Sequence, residues 1–178
     1  MCNCLKLFIP IRLIKNGRLT ENNFQYNEYL FLRFPLLDPH TQTSLYNFQT
    51  KKIEAAAFAV KNTSCNRGKY SHPKDVLYNH KKCVHHSNDG VASLYATHPF
   101  LLCVKHPIIE NTFYTLKVTH DPDEFMYPHS EIRAYENDSK IEEIKAGSIK
   151  LIIRNFYATN CQIHIEPKIE SFRFYNYS

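Results

Sequence analysis

The chain has 178 residues, of which 43% are hydrophobic, 22% charged and 13% aromatic, a balance that fits one folded domain and excludes a disordered tail. Its four glycines, Gly17, Gly68, Gly90 and Gly147, are too dispersed to build a G-x-x-x-x-G-K-[ST] phosphate loop or a G-x-G-x-x-G dinucleotide turn, and no apolar run approaches the roughly 18 residues of a membrane span. The formal charge of +5 is uneven: residues 1–60 sum to +3, 61–106 to +5 and 107–178 to −3.

In chain order, Leu5 to Ile14, apolar but cut by Lys6, Pro10 and Arg12, then Asn16-Gly17 as a turn, then Tyr29 to Phe34 before Pro35 read as one or two strands. From Ser44 the pattern turns helical, with Leu45, Phe48, Ala56, Ala57 and Val60 near one face, so a helix is expected over 44–62. Residues 63–97 are polar and weakly periodic, and read as a long loop of a kind that is usually functional or partly mobile. Phe100 to His106 and Thr112 to Thr119 form a hairpin around Pro107 to Asn111. His129 to Tyr135 fits either a helix after Pro128 or a third strand ending at an Asn137-Asp138 turn. Ser148 is placed to cap a helix carrying Ile149, Ile152, Ile153, Phe156 and Tyr157 on one face, and Cys161 to Ile165 alternates like a strand. The expected architecture is a single α+β domain with a mainly antiparallel central sheet and two principal helices, near 44–62 and 148–158.

With no secretory signal in view, an intracellular, reducing compartment is expected, and free thiols for Cys2, Cys4, Cys65, Cys83, Cys103 and Cys161. The basic segment 61–106 also holds six of the ten histidines, so its positive potential grows as pH falls through about 6.5. A nucleotide or nucleic acid would meet this segment first, through Lys81, Lys82, His85 and His86. A solvated loop whose lysines keep the protein soluble is the plainer alternative.

Three features follow one another: the hairpin, then His129-Ser130-Glu131, then Cys161-Gln162-Ile163-His164 about thirty residues on. Here the chain resembles the zinc-dependent cytidine and nucleobase deaminase superfamily, whose signature is H-x-E followed by P-C-x-x-C, with Asn160 standing for the Pro and His164 for the second Cys. The resemblance covers about residues 100–165. It implies an H-x-E helix after the hairpin, a zinc ion held by His129, Cys161 and His164, and Glu131 as the proton shuttle beside a metal-bound water. The function expected from it is that of a zinc-dependent, deaminase-like hydrolase acting on a nucleobase or nucleotide.

Other readings of the same residues stay open. His129 and Glu131 lie two apart, which on a strand puts them on one face, while Cys161 can be an apolar filler at a helix end and His164 an exposed strand residue. Cys83-Val84-His85-His86, His98 and Leu102-Cys103-Val104-Lys105-His106 have the rough succession of an HNH-type nuclease, and Cys65, His72, His80, Cys83 and His85 offer ligands for a non-catalytic zinc site. Cys83, beside Lys81, Lys82 and His85, has the setting of an activated thiol. No glycine pair brackets a serine, so the G-x-S-x-G nucleophile elbow is absent. The competing class to an enzyme is a non-catalytic, His-rich nucleic-acid or protein-binding module.

Overall fold

A computed structural model describes residues 24–25, 27–60, 62–79, 82–121 and 129–169. Strands β1 (Tyr29–Phe34), β4 (Asn62–Arg67), β7 (Gly90–Tyr95), β8 (Cys103–Lys105), β9 (Phe113–His120), β10 (His129–Glu136) and β12 (Gln162–Ile165) form one antiparallel sheet in the order β12-β7-β1-β4-β10-β9-β8. The short β11 (Ser139–Lys140) folds back on β10. Two small hairpins stand outside this sheet: β2 (Tyr46–Asn47) with β3 (Lys52–Ile53), and β5 (Tyr78–Asn79) with β6 (Val84–His85). Helix α1 is a single turn, His98–Leu101, and α2 runs from Gly147 to Asn160. The α+β class with a mainly antiparallel sheet is as expected from the sequence.

Alternation along the strands separates two faces. Leu30, Leu32 and Phe34 of β1, Ala92 and Leu94 of β7, Leu116 and Val118 of β9, and Ile132 and Ala134 of β10 share one buried cluster. Helix α2 closes that cluster with Ile149, Ile153 and Tyr157, which lie four residues apart and are at most 1% exposed. The opposite face carries Phe31 and Val91, packed with Leu77 from the 3-10 turn Pro73–Leu77. That turn is pinned at its start: the His72 backbone N–H donates to Asp75 Oδ2 at 2.7 Å, and Pro73 fixes the first residue.

Four expectations need correction. Residues 44–62 are not a helix but the β2–β3 hairpin followed by a 3-10 turn at Ala55–Ala57. Asn47 Oδ1 accepts from the backbone N–H groups of Gln49 and Thr50 at 3.0 and 2.9 Å, and this turn chemistry together with a left-handed Lys51 (φ 56°) overrides the helix propensity of the alanines. Residues 63–97 are not one loop, since β4, β5, β6 and β7 all lie within or overlap it. Phe100 and Leu101 belong to α1, so the hairpin's first strand starts at Cys103. Ser148 does not cap α2; Ala146 occupies the cap with no side-chain bond, and Ser148 is already helical.

The ambiguity over 129–135 resolves to a strand, β10, which ends at Asn137 and Asp138 with φ of 46° and 65°, the left-handed pair of a tight hairpin turn. The expectations for Leu5 to Ile14 and Asn16-Gly17 lie outside the described residues, as do Lys81 and His80. Among the described residues no helix is long and apolar enough to cross a membrane.

Candidate functional site

Strand β4, Asn62-Thr-Ser-Cys-Asn-Arg67, sits between β1 and β10 near the middle of the sheet. Thr63, Cys65 and Arg67 point one way, and Asn62, Ser64 and Asn66 the other. Cys65 joins the core under α2, where burial pushes its thiol pKa far up. Asn62, Ser64 and Asn66 instead line a cleft of about 440 Å³. The Pro73–Leu77 turn and the β5–β6 hairpin form one wall through Val76, Tyr78, Asn79, Lys82 and His86, while Arg33 comes from β1 and Ala57 to Ala59 from the end of the Ala55–Ala57 turn and the residues after it.

Among the described residues, two fixed cations line the cleft, Arg33 and Lys82. Arg33 Nη1 donates to Asp89 Oδ2, and the same carboxylate oxygen lies 3.6 Å from His86 Nδ1. Burial, and then the Arg33 charge, lower the His86 pKa below its ordinary value, so this imidazole is neutral at pH 7. Asn79 Oδ1 accepts from the Lys82 backbone N–H at 2.9 Å and fixes the turn that carries Lys82.

His129 enters from β10, directly opposite Asn66 in the register. Its Nδ1 lies 2.6 Å from the Asp121 carbonyl oxygen, which can only accept, so Nδ1 carries the proton. In the neutral ring Nε2 is therefore the acceptor, and the Ser64 hydroxyl, 2.7 Å away, donates to it. Arg133 holds Asp121 in place: Nη2 donates to Asp121 Oδ2 at 3.1 Å, while Nε donates to Glu131 Oε2 at 2.5 Å. Asn66 is 3% exposed, and its Nδ2 has no hydrogen-bond partner. An orphaned buried donor of this kind costs about 1–3 kcal/mol and calls for an acceptor from elsewhere.

The residues singled out from sequence fall in several surroundings. Lys82 and His86 line the cleft; His85 is exposed on β6, its ring 6.5 Å from that of Tyr78. Glu131 is on the same sheet face as His129 but lies in the ion pair with Arg133. His164, on β12, has Nε2 2.8 Å from Ser93 Oγ and meets the rings of Tyr29 and Phe31 edge-on. Cys161 follows α2 and packs on the core side of the sheet, where burial pushes its thiol up to about 12.

His129 is separated from β12 by β4, β1 and β7, and Cys161 lies on the opposite face of the sheet from both histidines. As arranged, the three do not fit a zinc ion, and among the described residues no three His, Cys, Asp or Glu side chains are grouped to hold a metal. The H-x-E triplet is extended, where the deaminase resemblance implies a helix. Cys83 and Cys103 are both exposed, and neither is in a disulfide.

Arg33 escapes the sequence as a site residue, and so do Ser64 and Asn66 on β4. The only signal of the β4 pair is the alternation of small polar residues in Asn62-Thr-Ser-Cys-Asn, a pattern that loops share. No family model matches the chain, and neither a curated protein nor a solved structure matches it.

Proposed function

We propose that this protein is a binding module for a phosphate-bearing ligand of nucleotide size, held in the cleft over β4. The observation that carries this reading is the composition of that cleft. Arg33 and Lys82 line it with cationic side chains, and Asn62 and Asn79 add side-chain amides. Phosphate oxygens are acceptors that satisfy both kinds of group. The volume decides the size class: about 440 Å³ lies within the range of roughly 300–1,000 Å³ of small-ligand sites and is too small for a duplex. Lys82 and His86 come from the basic segment, so the charge asymmetry of the chain feeds the cleft.

Calorimetric titration of ATP into the protein at 50 and 200 mM salt tests this. Binding is expected to weaken with salt and to fall at least tenfold in Lys82→Glu, while Lys117→Glu, on β9 away from the cleft, leaves it unchanged. Equal affinity in wild type and Lys82→Glu would sink the reading.

A further inference from the structure

The same cleft holds a nucleophile–base pair that binding alone does not use. Ser64 Oγ and His129 Nε2 are 2.7 Å apart, and the Nδ1–H of His129 is fixed on the Asp121 carbonyl at 2.6 Å. That is the arrangement by which a serine hydroxyl is activated: a base within hydrogen-bond reach, itself oriented by a third group. Ser64 is an exposed residue and both side chains line the cleft, so a substrate has access to them. Asn66, two residues along the same strand face, brings the unpartnered Nδ2. A single amide donor suits the one developing oxyanion of acyl transfer.

We infer that Ser64, His129 and Asn66 form the catalytic group of a hydrolase for carboxylic esters carried on a phosphate-bearing alcohol. This rests on the proposed phosphate cleft for substrate choice, and on the Ser64–His129 geometry for the chemistry. Ser64 Oγ gives its proton to His129 Nε2 as it bonds to the ester carbonyl carbon. The carbonyl π pair moves onto oxygen, where Asn66 Nδ2–H donates to it. Collapse restores the carbonyl and breaks the bond to the alcohol oxygen, which leaves with the proton from His129. Water then gives a proton to His129 and bonds to the acyl carbon. The acyl–Oγ bond breaks, the carboxylic acid departs, and Ser64 regains its proton. Arg133, through Asp121, is a positioning residue for the imidazole.

A biotinylated fluorophosphonate, which reacts with activated serines, is the probe. After incubation with the folded full chain, peptide mass analysis is expected to find one adduct, on Ser64. The adduct should be absent in Ser64→Ala and formed at least tenfold more slowly in His129→Gln, which keeps a polar side chain but cannot take the proton. Excess ATP should slow labelling of wild type. Circular dichroism and Tm of each variant establish that it is folded. No adduct on Ser64, or an unchanged rate in His129→Gln, overturns the inference. If ATP binds Ser64→Ala while wild type is not labelled, the dyad falls and the phosphate cleft stands; if wild type is labelled without protection by ATP, the dyad stands and the phosphate-bearing substrate falls.

Discussion

The charge of Arg67 is fully buried and is held there by an ion pair with Glu28. Arg67 Nε and Nη2 donate to Glu28 Oε1 and Oε2 at 2.6 and 2.8 Å, with both side chains at most 2% exposed. The rings of Phe24 and Tyr70 lie 4.3 and 5.1 Å from the guanidinium carbon, so the charge is enclosed by π faces as well as paired. Removing one partner strands the other charge: Arg67→Met is expected to cost about 3–5 kcal/mol in urea unfolding, and Arg67→Met with Glu28→Leu to recover much of that. Cysteine reactivity divides along the same lines of burial. A thiol pushed up to about 12, as at Cys161, leaves a thiolate fraction of about 10⁻⁴ at pH 8, and Cys65 lies higher still. Alkylation of native protein at pH 8 should therefore modify Cys83 and Cys103 while sparing Cys65 and Cys161, and mass analysis should find all four modified once the chain is unfolded.

Among the elements, α2 is the most legible and β4 the least. Ile149, Ile153 and Tyr157 repeat every four residues and all three are buried, whereas Leu151 and Ile152 are 56% and 43% exposed. Truncating Ile153 to alanine is thus expected to cost about 2–5 kcal/mol, and truncating Leu151 under about 0.5 kcal/mol, when their urea midpoints are compared. β9 was legible for a similar reason, since Tyr114, Leu116 and Val118 alternate with Thr115, Lys117 and Thr119, whereas the sequence left β10 open between helix and strand. β4 has no such alternation. Its core-side residues are Thr63, Cys65 and Arg67, and its cleft-side residues are Asn62, Ser64 and Asn66, so both faces are polar in sequence although Thr63, Cys65, Asn66 and Arg67 are buried. A strand whose polar groups serve an ion pair and a cleft breaks the pattern by which strands are recognised, and it is here that local rules are expected to fail. Over 44–62 the failure has the other sign: the alanine run favours helix, but the side-chain bonds of Asn47 form a hairpin turn first. The Ser64–His129 contact joins residues 65 apart through strand register, so it has no local trace in the sequence.

At the scale of the whole molecule, the proposed phosphate site would couple ligand to protons through His86, which lines the cleft. Burial first and the Arg33 charge second lower its pKa, with His85 and Lys82 acting in the same direction and Asp89 opposing them. An unfolded histidine titrates near 6.5, so below that pH the unfolded chain takes up a proton that native His86 declines, and native stability falls as pH drops from about 6.5 to the lower native value. Once pH is below both values the difference stops growing. A phosphate group in the cleft reverses the local sign: it stabilises the imidazolium, so binding takes up a proton and affinity rises as pH falls through the same window. Urea unfolding of wild type and His86→Asn at pH 7.5 and 5.5, each with and without ATP, reads both effects. Without nucleotide, the loss of midpoint on acidification should be smaller in His86→Asn. With saturating nucleotide, the gain in midpoint should be larger at pH 5.5 than at 7.5 in wild type, and this acid enhancement should shrink in the variant. His129 also lines the cleft, so the same series is run in His129→Gln as a comparison. An ATP effect that is the same at both pH values in wild type would mean that the phosphates do not reach His86, and would remove the β5–β6 wall from the ligand's contacts.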